Sequence, residues 1–295
     1  MQLQPFYTYL LTEKRCSAHT LEAYRNDLEQ FERFASTVFE ASHHKDISQS
    51  MVRAWLASLI EHGYAVSSVH RKLSSVRALF RFLLKNNEAI QNPARGIPKP
   101  RKPIRLPVFV EESAMKHLYE PRAADGKFAE LNTTLIIKLL YETGLRQSEL
   151  LGLRDQDIDA DMAQLKVTGK RNKVRLVPIG RPLLHDIVHY QQARMEHFEF
   201  FETSSLLITD KGKKITKSFL YKTVRTYLSQ VTTVRRRSPH VLRHTFATHM
   251  LNNGADLNVI KEILGHSSLA ATQVYTHNSI EKLKGVHSRL HPRNQ

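Results

Sequence analysis

The chain has 295 residues, enough for about two domains at roughly 150 residues each. Its 41% hydrophobic and 24% charged residues exclude wholesale disorder and a fibrous repeat. Lys and Arg number 44 against 28 Asp and Glu, a formal net charge of +16 with neutral His, which points to a polyanionic partner.

Residues 1–91 carry 11 basic and 9 acidic side chains and are expected to form a compact all-helical domain. A short opening helix near 6–11 is followed by a stripe behind Ser17, in which Leu21, Tyr24, Leu28, Phe31 and Phe34 recur at spacings of 3 and 4. A second helix follows Ser48, with Val52, Trp55, Leu56 and Leu59 inward and Gly63 placed to end it in a left-handed conformation. A third runs from about 67 to 87 through Val69, Leu73, Val76, Phe80 and Leu83. The helical period accounts for the aromatic residues as core packing. Cys16 is the single cysteine, which excludes an intrachain disulfide and a Cys-rich zinc site and suits a reducing cytoplasm. As a side chain it reads as a small packing residue.

Residues 92–107 contain five prolines and five cations, Arg95, Lys99, Arg101, Lys102 and Arg105, with no acidic residue. Proline removes backbone donors and disfavours helix before it, so an extended linker is expected, its cations set to track phosphate.

Residues 108–295 form the expected second domain. Helices near 111–119 and 131–142 lead into Thr143-Gly144-Leu145-Arg146 and a further helical turn. The period then switches: 164–168 and 174–179 are β-prone runs around Gly169-Lys170-Arg171-Asn172-Lys173, a hairpin with a basic tip. Helices return at about 182–201, 217–229, 240–253, 256–264 and 267–275. A last amphipathic piece carries Ile280, Leu283, Val286 and Leu290 on one face and must pack on its own domain or a neighbour's. The fold class is therefore mainly α, with a small antiparallel β-sheet in the second domain. No apolar run approaches the roughly 20 residues that span a bilayer, and Met1 to Pro5 lacks the positive start and apolar stretch of a signal peptide. A cytoplasmic protein without a membrane partner is expected.

Metal chemistry is disfavoured by the residues themselves. The acidic run from Asp155 to Asp161 superficially fits a calcium loop, but Ala160 stands where glycine is needed and Lys166 where a Glu would close the loop. His240 and His244 are four apart on a helix with no accompanying carboxylate, His249 falls on another face, and Arg243 beside them would repel a divalent cation. Arg offers planar bidentate donors to phosphate, and His can donate a hydrogen bond or move a proton near neutral pH. The tract from Arg235 to His244 gathers these groups at a helix entry, Gly265-His266 places another His at a helix mouth, and Tyr275 stands nine residues further on.

Taken in order, these motifs resemble the tyrosine site-specific recombinases, the phage-integrase family. Thr143-Gly144-Leu145-Arg146-Gln147-Ser148-Glu149-Leu150 is similar to the family's first arginine motif, and Gly169-Lys170 to its hairpin lysine. His240-Val241-Leu242-Arg243-His244 is similar to its His-x-x-Arg box, and Leu264-Gly265-His266 followed by Tyr275-Thr276-His277 to its closing His and nucleophilic Tyr. The sequence departs at Gln147, where an aliphatic residue is usual, and at Arg171, where the hairpin often has Gly.

The resemblance implies a helical core-binding domain and a catalytic domain acting on double-stranded DNA without metal, cofactor or ATP. Tyr275 would attack the scissile phosphate and keep a 3′-phosphotyrosyl link. Since Tyr has an ordinary pKa of about 10, His240 would help remove its proton. Arg146 and Arg243 would clamp the phosphate, His266 would add a hydrogen bond and Lys170 would protonate the leaving 5′ oxygen, with Lys173 the alternative acid. Glu149 would orient Arg146. DNA contacts would fall to the five linker cations, Arg171 and Lys173. The chain looks like the Xer branch, which resolves chromosome dimers, with no extra arm-binding domain. Four protomers, identical or paired with a second recombinase, would assemble across two sites, the terminal amphipathic piece docking on the next protomer, and an FtsK-type DNA translocase is a candidate switch. The alternatives are a mobile-element integrase of the same family, a type IB topoisomerase-like enzyme and a nonenzymatic DNA-binding protein. Site-dependent covalent attachment to DNA separates the last two.

Overall fold

The computed structural model describes residues 2–101, 108–119, 128–169, 172–199 and 204–265, and the chain divides into two compact units, Met1–Arg105 and Leu106–Gln295. The first unit holds α1 (Gln4–Thr12), α2 (Ala18–Phe39), α3 (Gln49–Glu61) and α4 (Val66–Lys85). Ser17 and Ser48 cap α2 and α3 by accepting from the N–H groups of Thr20 and Met51, which satisfies donors a helix start otherwise leaves orphaned. The stripes meet in one core of Phe6, Leu28, Phe31, Trp55, Leu73, Val76 and Phe80, with the Phe31 and Trp55 ring centroids 4.9 Å apart.

A polar contact that no hydrophobic stripe announces fixes α2 against α4. Asp27 is fully buried and accepts from Lys72 at 3.0 Å, from Ser75 at 2.8 Å and from Arg71. Lys72 also stands over the rings of Trp55 and Tyr64.

The first part of the basic Pro-rich stretch is anchored on this unit, a difference from the extended linker expected over 92–107. Ala94 and Ile97 are buried in the helical core. Arg77 donates to the Ala94 carbonyl at 3.0 Å and to that of Ile97, Gln49 donates to the Arg95 carbonyl at 2.9 Å, and His70 meets the Pro100 carbonyl at 2.6 Å. Prolines cannot build a ladder of their own, so side chains from α3 and α4 take up their neighbours' carbonyls. Arg95, Lys99 and Arg101 remain exposed; Lys102 and Arg105 lie outside the described residues.

The second unit is built round α6 (Phe128–Thr143), which is buried continuously from Leu135 to Thr143. Packed with it are α5 (Glu112–Lys116), α7 (Gln147–Gly152), α8 (Arg181–His197), α9 (Lys217–Val231), α10 (Pro239–Asn252) and α11 (Leu257–Leu264). One antiparallel sheet runs in the order β1 (Ile158–Asp159), β2 (Gln164–Thr168), β3 (Val174–Pro178). The hairpin register pairs Val167 with Arg175 and Thr168 with Val174. β1 was not foreseen, because two residues carry no readable period. It emerges from the acidic run, whose carboxylates take protein donors: Gln191 and Arg194 on Asp155, Arg154 N–H on Asp157, and Met162 N–H and Gln164 on Asp159. No described helix is long and apolar enough to cross a membrane. The helix expected at 267–275 and the terminal amphipathic piece lie outside the described residues.

Candidate active site

α6 ends at Thr143 and the chain turns at Gly144, with φ +61°, before α7 begins. A Cβ on Gly144 would stand 2.6 Å from both Leu264 and Phe246 side-chain carbons, so only glycine lets α10 and α11 close on this turn. The turn delivers Arg146 to the amino end of α7, where Glu149, one turn on, accepts from the Arg146 main-chain N–H at 2.8 Å and from Nη1 at 2.7 Å.

Glu149 is buried, at 5% exposure, and has a second arginine. Arg175, from β3, pairs both carboxylate oxygens, Nη1 to Oε1 at 2.9 Å and Nη2 to Oε2 at 2.8 Å. Burial alone would raise the carboxyl pKa. The hydrogen bonds from Arg175 and the Arg146 main chain, with the charge of Arg175, outweigh it and hold the group at about 2. Arg175 was missed in the sequence, although β3 alternates and places it on the face of buried Val177, opposite buried Val167. An arginine at an inward strand position must find an anion.

Arg243 lies on α10, 7% exposed, donating from Nη1 to the Gly144 carbonyl and from Nη2 to the Leu264 carbonyl at 2.7 Å. Burial first, then the nearby charge of Arg146, lowers its pKa to about 10, so it stays cationic at neutral pH. The three arginines hold successive carbonyls at the carboxyl end of α11: Arg175 Nε on Ile263 at 2.9 Å, Arg243 on Leu264, and Arg146 Nη2 on Gly265 at 2.9 Å. Those carbonyls are orphaned by the helix end and carry its negative partial charge. Cations gather there for that reason.

His240 sits one turn before Arg243, exposed at the amino end of α10. Partial burial, then the charges of Arg243, His244, Arg146 and Lys217, push its pKa below the ordinary imidazole value, leaving the ring neutral and able to accept a proton at pH 7. Gln147 donates to the Lys217 carbonyl at 3.1 Å, tying the amino end of α9 beside α7. His249 is buried on the far side of α10 at 2.9 Å from the Tyr141 hydroxyl and serves packing. Lys173 is exposed, and its carbonyl accepts from Gly169 N–H at 2.7 Å to close the hairpin. Lys170, Arg171, His266 and Tyr275 lie outside the described residues. Among the described residues no three His, Cys, Asp or Glu side chains are grouped to hold a metal ion. A cavity of about 760 Å³ between α6 and α9, lined by Asn132, Thr133, Phe219, Lys222 and Tyr227 among others, includes none of the arginines above.

Two family models match this chain. The phage integrase family covers residues 109–282, and the phage integrase N-terminal SAM-like domain covers residues 3–87. The chain is 35% identical over 319 residues to tyrosine recombinase XerC of Chlorobaculum tepidum, spanning 99% of this chain and 94% of that one. It is 36% identical over 292 residues to tyrosine recombinase XerC of Listeria innocua, spanning 98% and 96%. Among solved structures, XerH site-specific recombinase bound to palindromic difH substrate superposes with a TM-score of 0.72 at 22% identity over 97% of this chain and 83% of that one. The Tn1549 transposon integrase in complex with transposon right end DNA also gives 0.72, at 18% identity over 96% and 98%. These two likenesses are of fold.

Proposed function

The chain belongs to the phage integrase family and is a site-specific tyrosine recombinase of the Xer type, and we propose how its residues divide the chemistry. The phenol oxygen of Tyr275 attacks the scissile phosphorus in line while the bond to the 5′ oxygen breaks. The phenol proton passes to neutral His240, and Lys170 supplies a proton to the departing 5′ oxygen. The product is a 3′-phosphotyrosyl strand and a free 5′-hydroxyl. Arg146 and Arg243 bear on the nonbridging oxygens, where charge builds in the transition state, and His266 adds a hydrogen bond. Two fixed guanidiniums can neutralise that charge without a Lewis acid. The covalent link conserves the bond energy, so rejoining requires no ATP. Attack by a partner duplex's 5′-hydroxyl converts cleavage into exchange.

The observation that carries this reading is the placement of Arg146 and Arg243 around one turn, with His240 one helical turn before Arg243. At the level of the cell, the reading is resolution of chromosome dimers in the cytoplasm, by four protomers across two DNA sites, with an FtsK-type translocase as the switch. The exposed cations Arg95, Lys99, Arg101 and Lys173, with Lys102, Arg105 and Arg171, supply phosphate contacts. The division into a helical core-binding domain, a basic connector and a catalytic domain is part of the same proposal.

The test incubates the parent chain and Tyr275→Phe with nicked duplexes spanning candidate palindrome-like sites and resolves the products on denaturing gels. The parent is expected to form a covalent protein–DNA adduct. Tyr275→Phe is expected to bind the same duplexes and form none, and cleavage by that variant removes the assignment.

A further inference from the structure

Arg175 has no part in the chemistry above, yet its side-chain hydrogen bonds among the described residues all lie at that site. It is 6% exposed, gives both Nη groups to Glu149 and gives Nε to the Ile263 carbonyl. Arg146, by contrast, gives Glu149 its main-chain N–H and Nη1, sends Nη2 to Gly265, and keeps its side chain 24% exposed. Arg175 gives the carboxylate both its Nη groups, whereas Arg146 gives it one and keeps part of its side chain exposed. Gly265 makes the approach of Arg175 feasible: a Cβ there would stand 3.1 Å from Arg175 Cδ and Nη1.

A buried carboxylate must be balanced, and a two-pronged guanidinium pair is the strongest way to balance it. With Arg175 removed, Arg146 is the remaining cation in contact with Glu149 among the described hydrogen bonds. The carboxylate would then draw the fork of Arg146 onto both its oxygens and away from its present orientation. Arg175 also joins three pieces of the site, because it rises from β3 at the base of the hairpin, pairs with α7 through Glu149, and holds the carboxyl end of α11.

We propose that Arg175 is a positioning residue for strand cleavage: by satisfying Glu149 and holding the end of α11, it keeps Arg146 on single contacts to Glu149 and Gly265, so that the guanidinium N–H groups left over from those contacts serve the scissile phosphate. The inference rests on the recombinase chemistry set out above.

The test follows single-turnover adduct formation and, separately, DNA affinity, using the full chain and nicked duplexes bearing the site it selects from random-sequence DNA. Arg175→Met is expected to bind DNA like the parent and to form adduct about 100-fold more slowly, the loss that misplacing a reacting group by about 1 Å brings. Adding Glu149→Gln is expected to restore about tenfold, because it removes the buried charge that Arg175 had balanced. A merely structural role predicts that the second substitution rescues stability while the adduct rate of the folded, DNA-bound protein is the same in the single and double variants. Arg175→Met reacting at the parental rate, or a double variant no faster than the single one, overturns the proposal. Should Arg175→Met fail to fold, the double variant decides: DNA binding like the parent with adduct formed about tenfold more slowly supports the proposal, and a parental rate or no adduct overturns it. A parent chain that binds but never forms adduct defeats the recombinase chemistry itself, whereas an active parent with an unaffected Arg175→Met defeats only the role of Arg175.

Discussion

Two arginines of one site carry their charge in different ways. Arg243 is fixed by two main-chain carbonyls from separate segments, so its orientation is set before a phosphate arrives, which is the preorganisation that makes electrostatic stabilisation effective. Arg243→Ala is therefore expected to slow single-turnover cleavage by at least about 100-fold, the loss typical of one oxyanion donor; adduct formation near the parental rate would mean the phosphate is held elsewhere. Glu149 makes a second, pH-linked prediction. Its folded pKa, about 2, lies below the ordinary 4.5, so its ionised form contributes stability above pH 4.5 that is lost as pH falls towards 2. That contribution is on the order of 3 kcal/mol. Urea unfolding should show stability falling across this window in the parent and a flatter profile in Glu149→Gln; parallel profiles would contradict the assignment. At this scale Arg146, Glu149, His240 and Arg243 were legible as candidates because their order and spacing carried the resemblance. Arg175 was not, because its partner lies 26 residues away in sequence and no local period announces a pairing across elements.

At the scale of elements, hydrophobic period and cap chemistry were sufficient where a helix has a Ser before it and a stripe along it. Both hold for α2 and α3: the cap at Ser17 forms as read, and Ser48 before the second stripe caps α3 in the same way. Strands β2 and β3 were legible for the same reason, each a full β-prone run on one side of a basic turn. β1 was not, since Ile158 and Asp159 become a strand only by pairing with Leu165 and Gln164. The packing of residues 92–100 was hidden by their prolines, which announce an extended chain without saying what it lies on. Buried Ala94 and Ile97, and the reach of Arg77, settle that locally. The joint between α6 and α7 is the element the site depends on most. Gly144→Ala must place a methyl group 2.6 Å from Leu264 and Phe246 atoms at a left-handed φ. A loss of about 2–4 kcal/mol in urea unfolding is expected from the combined backbone strain and overpacking, and parental stability would contradict that account of the turn.

At the scale of the whole chain, the charge of +16 explains affinity for a polyanion and says nothing of chemistry. The chemistry rests on whether the cluster of Arg146, Arg243 and His240 serves a tyrosine nucleophile. The most direct measurement traps the parent chain on a nicked duplex, digests the adduct with protease and nuclease, and identifies by mass spectrometry the residue that retains a nucleotide. A peptide carrying a 3′-phosphonucleotide on Tyr275 is the predicted result. A nucleotide on any other residue, or DNA held tightly with no covalent peptide from any duplex, would contradict the central claim.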